Sequence, residues 1–450
     1  MQKLPMSAKD RTLLILLVLM SVFLYADQRI MSAILPELSL EYGIGERTLG
    51  FIGSAFTLVG ALVSIFFGYF TDKISRKNLL LFTVLIGEVP CFLTGIPLFT
   101  RTLTSFTVLR ILTGIGIGGI YPISFSLISD LFREEHRASA SAWLGVAWAI
   151  GMMAGPAVAG YLTGTYGWRI AFILAAIPNF PLVIIFAFLA GEPRRGQTEE
   201  ALEELIRKGA VYKQRISLRD FKLIFANKTN LTTFLQGIPG TIPWGIIGYW
   251  IILFLERERG FPKENATTVY LMLGIGATIG AVIFAMIGER LYRKNPRYMP
   301  ILCGTGVLVG IIPAAIVVNL PVQDPSVGTL LLFYVLAFVA GFLVSVPSAN
   351  VKAILMNVNR PEHRGSVFAV FNITDNLGQG FGPALGGLLV SGGYVFMMDF
   401  SIFWWIPCGL LFFLVARFIT ADRDRLQALL KERAGEMERE VPGEEKGGGY

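Results

Sequence analysis

The sequence predicts an all-α membrane protein of twelve transmembrane helices, arranged as two six-helix parallel repeats. Three observations lead there. Hydrophobic residues make up 54% of the 450-residue chain and charged residues only 16%, against about 25% charged in soluble domains. Mean hydropathy is +0.61, more apolar surface than one water-soluble core hides. Second, the apolar residues fall into twelve long runs, each near the ~20 residues a helix needs to cross a bilayer. Third, a phrase recurs: "REEHRAS" at 133–139 returns as "RPEHRGS" at 360–366.

The runs lie at 12–36, 48–70, 79–100, 105–130, 138–163 and 168–191, then at 229–255, 266–289, 299–320, 329–355, 365–390 and 396–420. Barrel strands would be about ten residues long and strictly alternating; these are longer and continuously apolar, so each is a helix. The first run has a basic start, but it is long for a signal-peptide core and no small-residue cleavage site follows, so it is expected to be retained. Internal Gly and Pro are tolerated in membrane helices, where small residues let backbones approach. Domains are expected at 1–191, an N-terminal six-helix bundle, and 229–420, its C-terminal counterpart. Between them, 192–228 forms a cytoplasmic linker in which Glu203/Arg207 and Glu204/Lys208 are i,i+4 pairs favouring a surface helix. Residues 421–450 form a charged cytoplasmic tail.

The net charge of +7 does not point to nucleic acid, because its placement is topological. Lys3, Lys9 and Arg11 precede the first span; Lys73, Arg76 and Lys77 follow the second; Arg290, Arg293, Lys294 and Arg297 follow the eighth. Connections on the other side carry fewer cations, with "RERGFPK" the main exception. The positive-inside rule then puts both termini in the cytoplasm of a cell (inner) membrane protein. Cys91, Cys303 and Cys408 form no CxxC pair and all lie in apolar runs, so neither zinc nor a disulfide framework is expected. No metal, cofactor or catalytic residue is expected, and the chain is read as a monomer whose surroundings are the lipid bilayer.

The repeat places the two histidines of the chain, His136 and His363, in equivalent positions 227 residues apart. The same offset superposes Gly151, Gly155, Pro156 and Gly160 on Gly378, Gly382, Pro383 and Gly387 without a gap. The histidines are therefore read as turn residues of a duplicated unit, between spans four and five and between ten and eleven, rather than as a proton relay. Parallel repeats of six spans are a plan used by secondary transporters.

The connection "GYFTDKISRKN", Gly68 to Asn78, resembles the signature loop of the major facilitator superfamily: a Gly, an Asp four residues on, then a basic cluster. A weaker copy, "GERLYRKNPR", begins at Gly288 and has Tyr292 where the acid would stand. "RILTGIGIGG", with Arg110, Gly114, Gly116 and Gly118, is similar to the family's fourth-span motif, and the Gly-Pro patterns of spans five and eleven are family-like. Inside an apolar helix these glycines serve close packing, not a nucleotide loop. The resemblance implies the superfamily's fold, transport by alternating access, and a gate that includes Gly68, Asp72, Arg76, Lys77, Arg137, Gly155, Pro156, Gly382 and Pro383. In the family the acid at Asp72 ties span two to the start of span eleven. The first span, "LYADQRIMSAILPEL", further resembles spinster-type lysolipid transporters and the anion:cation symporter group, fitting at Tyr25, Asp27, Leu35 and Pro36. Gln28 stands where those proteins have Arg, and Ile117 where spinster proteins usually place a Glu.

An ionisable group at bilayer depth costs about 2.5–3.5 kcal/mol on insertion scales, which makes it a functional candidate. Asp27, Arg29, Arg110 and Glu88 qualify. Spans one and four line the cavity in the resembling family, so Asp27 and Arg110 are expected to meet across it as a proton-coupling pair. Arg29, about 200° around the helix from Asp27, need not face the same way. Glu88 is read as a proton-coupling candidate or a packing contact. In span eleven, Asn372, Asp375, Asn376 and Gln379 share one helical face, where their repeat mates are Gly145, Trp148, Ala149 and Met152. That divergence marks the face as cavity or gate lining, with Asp375 a further proton-coupling candidate. Substrate-binding candidates also include Tyr25, Tyr121, Gln236, Trp244, Tyr249, Ser345 and Ser348, with Arg29 and Arg110 to meet negative charge.

These readings predict a secondary active transporter for an organic anion or an amphipathic lipid-like solute, driven by a proton gradient. Multidrug efflux by proton antiport is the alternative within transport. A membrane-embedded sensor or enzyme is the alternative outside it, disfavoured because neither histidine falls within a span.

Overall fold

The computed structural model describes residues 8–71, 73–131, 134–191, 218–322, 326–360 and 363–440. Most of the linker and the last ten residues lie outside this set, as does Asp72. Among the described residues the chain is helical throughout, with no strand.

Span one is Ala8–Ile30, continued by a 3-10 turn at Met31–Ala33 and a short helix, Leu35–Tyr42. Spans two to five are Glu46–Thr71, Arg76–Thr94, Leu103–Leu131 and Glu134–Tyr166. Span six is broken into Arg169–Ala176 and Asn179–Leu189 at Pro178. After the helix Leu218–Ala226 come spans seven to nine, Lys228–Arg259, Lys263–Lys294 and Tyr298–Asn319. Span ten breaks at Ser345–Val346 into Val327–Val344 and Pro347–Val358; span eleven is Arg364–Leu389; span twelve is Tyr394–Phe403 and Trp405–Glu440. The ends follow local chemistry. Ser75, Asn227 and Ser326 cap their helices by accepting a backbone N–H three residues on. Gly260 ends span seven in the left-handed conformation that favours glycine.

Among the described residues, eleven helices are long and apolar enough to cross a membrane. Span eleven has the length, 26 residues, but its polar face lowers its hydropathy, so it is the twelfth by packing. The repeated phrase also differs from expectation. "REEHRAS" is not a separate turn: the helix of span five already begins at Glu134, and His363 is the N-cap residue of span eleven.

Packing repeats as the sequence does. Span one lies against span five as seven lies against eleven, and two against four as eight against ten. At the equivalent glycines the backbones almost touch. A Cβ on Gly155 would sit 1.9 Å from the Ala26 carbonyl oxygen, and one on Gly382 would sit 2.5 Å from Gly245. No other residue permits either approach.

The halves meet through spans two and eleven and through five and eight. Among the described residues, a set of hydrogen bonds joins them at the end of the bundle remote from the termini. Lys263 pairs with Glu37, Tyr394 donates to Glu46 (2.8 Å), and Tyr161 pairs with Thr268 (2.7 Å). Slightly deeper, Tyr249 donates to Leu49 O (2.7 Å), Ala384 N to Ser54 Oγ (2.8 Å) and Tyr270 to Met152 O (3.0 Å).

Candidate functional site

Two residues of span one define two environments. The Asp27 carboxylate turns into the N-terminal bundle and takes both terminal nitrogens of Arg110 from span four, at 2.9 and 3.0 Å. Both side chains are sealed from solvent. Phe56 of span two and Phe172 of span six cover the guanidinium, with ring centroids 4.8 and 4.9 Å away. This is the bidentate, charge-assisted geometry that holds an ion pair in a low-dielectric interior. The two residues do meet, but inside the bundle rather than across an open cavity.

Glu88 completes the cluster. It is fully buried in span three and close enough to Asp27 and Arg110 to feel both charges. The Asn179 side-chain amide of span six donates to its Oε1 and also to Met20 O at 3.2 Å. Cys91, one turn on, donates to Phe172 O at 3.4 Å.

Arg29 faces the other way, as its 200° offset requires. It is 7% exposed and lies between the halves, its guanidinium against Gly248 of span seven and near Tyr249 and Tyr270. Among the described residues it has no carboxylate partner, and its Nε is buried without a hydrogen bond. A lone cation in such a place favours an anion. The tyrosines beside it are the two whose hydroxyls tie the halves together at Leu49 and Met152.

The polar face of span eleven is half-buried at Asn372, Asp375, Asn376 and Gln379. Asp375 lies within reach of the charge of Lys352 from span ten, which is exposed on the same helical edge as Ser348. Thr241 donates to the Asp375 carbonyl (2.8 Å). Tyr121 is exposed and packs at a tilt against Phe125, whereas Tyr25 is buried against Gly151. Other predicted residues are engaged in packing. Gln236 accepts from the Cys408 thiol (3.4 Å), Ser345 donates to Phe342 O (2.9 Å), and Trp244 packs edge-on to Trp405. Trp250 donates to Pro383 O (3.0 Å).

Of the gate residues, Arg76 is buried and engaged, Lys77 is half-buried and engaged, and Gly68 faces open space. Asp72 and the Arg137 side chain lie outside the described residues. Three residues of these sites escaped the sequence reading: Lys352, Tyr270 and Asn179. Lys352 carried a signal, a lone lysine in an apolar run. Tyr270 and Asn179 carried none, because only the fold brings them to Arg29 and Glu88.

Two six-helix repeats closed at one end around buried intramembrane charge define a polytopic carrier of small solutes, not an enzyme. The chain belongs to the Major Facilitator Superfamily, whose sequence model matches residues 17–326 and 307–442. It is 25% identical over 376 residues to the cis,cis-muconate transport protein of Acinetobacter baylyi, covering 82% of this chain and 85% of that one. It is 25% identical to the gentisate transporter of Corynebacterium glutamicum, covering 81% and 78%. A crystal structure of a bacterial homolog of the human lysosomal transporter Spinster superposes with a TM-score of 0.77 at 18% identity, covering 93% of this chain and 99% of that one.

Proposed function

We propose that the protein is a proton-coupled carrier of small organic carboxylates, working by alternating access in the inner membrane as a monomer with both termini cytoplasmic. One observation supports this most: Arg29, a buried cation between the halves with no acidic partner among the described residues. Burying a charge without a partner is costly, and a substrate carboxylate removes that cost while bound. The named substrates of the similar proteins, muconate and gentisate, carry carboxylates. Binding at Arg29 places negative charge beside the Tyr249 and Tyr270 hydroxyls. Those hydroxyls can turn to the anion and leave Leu49 and Met152, which loosens the closed end of the bundle. The buried Asp27–Arg110–Glu88 cluster is the proton-coupling site of this scheme. Asp375, with Lys352 opposite, lines the route on the side of the termini.

A lipid-like solute is the second reading. An apolar groove of about 390 Å³ between spans two and three, lined by Phe66, Phe67, Phe70, Ile74 and Phe82, suits an acyl chain.

Uptake into proteoliposomes under an imposed pH gradient tests both, with radiolabelled muconate, gentisate and a lysolipid in parallel. Carboxylate uptake that depends on the gradient and is lost in Arg29→Gln is the expected result. Arg29→Gln removes the unpaired buried charge and should raise thermal stability rather than lower it. Uptake of lysolipid alone, or carboxylate uptake unchanged in Arg29→Gln, would overturn the carboxylate reading.

A further inference from the structure

The cluster around Glu88 has one negative charge too many. Asp27 from span one, Arg110 from span four and Glu88 from span three are all shut off from solvent, and Asn179 from span six and Cys91 from Glu88's own helix face the same space. Both terminal nitrogens of Arg110 are taken by Asp27. If both carboxyls were ionised, Glu88 would hold a buried charge with no cation of its own, in the part of the protein that least tolerates one.

Hydrogen bonding points the same way. Asn179 Nδ2 donates to Glu88 Oε1, while Glu88 Oε2 and Asn179 Oδ1 are both buried without a partner. Both orphans are acceptors, and they belong to the two members of one hydrogen-bonded pair. An ionised Glu88 offers neither of them a donor. A carboxylic acid with its proton on Oε2 can donate to the amide oxygen and complete a cyclic acid–amide pair, satisfying both atoms at once.

We propose that Glu88, and not Asp27, carries the coupling proton, while Asp27 stays ionised as the clamp on Arg110. The inference rests on the proton-coupled reading above. The step is a simple ionisation. When water reaches the cluster on the side of low proton concentration, the Glu88 Oε2–H bond breaks. The proton leaves to water and the electron pair stays on the carboxylate. Reloading from the other side reforms the bond.

Two measurements on the purified full-length protein test this. Infrared difference spectroscopy at neutral pH, which needs no substrate, should show a buried carboxylic C=O stretch that shifts in deuterated water. The band should disappear in Glu88→Gln, where Asp27 keeps its pairing with Arg110, and should weaken in Asp27→Asn, which frees Arg110 to pair with Glu88. Glu88→Gln keeps the shape and can pair with Asn179 as an amide, so it should fold. In proteoliposomes with radiolabelled muconate and gentisate, Glu88→Gln should keep counterflow exchange and lose gradient-driven accumulation. A band that persists in Glu88→Gln, or accumulation that survives it, overturns the proposal. A wild type that shows the band but ignores the gradient overturns the coupling reading itself, which separates the two failures.

Discussion

Asp27 and Arg29 stand two residues apart and do opposite things with charge: one is matched inside a bundle, the other is left unmatched between the halves. The match at Asp27 is the stronger structural commitment. Removing one partner of a buried pair strands the other and costs about 3–5 kcal/mol. Asp27→Asn and Arg110→Gln should each lower thermal stability by that order. The double variant should cost less than the sum, read as a coupling energy from a double-mutant cycle. Additive losses would mean the pair does not hold the two spans together. The identities of these residues were legible in the sequence, because charges in apolar runs stand out. Their surroundings were not. Helical spacing separated the directions of Asp27 and Arg29, but the covering rings of Phe56 and Phe172 depend on how spans two and six pack.

At the scale of elements, the repeat offset of 227 residues carried the most information. It aligned the Gly-Pro helices and so anticipated which helices would pack alike. Gly155→Ala tests that packing. Its new Cβ would meet a backbone carbonyl that cannot turn aside, so overpacking should cost about 1–3 kcal/mol or more, visible as a lower melting temperature in detergent. A neutral Gly155→Ala would show that spans one and five separate readily. The same offset misplaced one boundary. It treated "REEHRAS" as a connection, because charged residues look like loop in hydropathy, whereas the helix of span five begins at Glu134.

At the scale of the whole molecule, hydrogen bonds and one partly exposed ion pair among the described residues hold the two halves together at one end. The Lys263–Glu37 pair is partly exposed, and such pairs contribute about 1 kcal/mol at most. A two-state carrier whose forms differ by a few kcal/mol is sensitive to that much. Lys263→Gln should shift the equilibrium toward opening at the end remote from the termini by up to about fivefold. Spin-label distances across that end would report the change, and an unchanged distribution would remove the pair from the gate. Nearby, Glu41 anchors the short helix Leu35–Tyr42 to Arg169 and Trp168. Burial alone would raise its pKa, but the Arg169 and Trp168 hydrogen bonds and the Arg169 charge outweigh this, so it lies below the ordinary carboxylate value. A depressed folded pKa stabilises above the unfolded value of about 4.3 and is lost as pH falls through the folded one. The melting temperature should therefore drop as pH falls below about 4.3, and Arg169→Gln should flatten that drop.

The polar face of span eleven has a consequence for how the chain is made. A segment entering the membrane from the ribosome is sorted by its own hydrophobicity, and asparagine, aspartate and glutamine weigh against it. Arg364–Leu389 is the helix that falls short on that measure while its neighbours do not. It packs closely on span seven, which emerges more than a hundred residues earlier. Span eleven is therefore expected to settle in the bilayer through its packing on span seven rather than by its own hydrophobicity. The polar face proposed to line the route thus ties the insertion of span eleven to the helices it packs on.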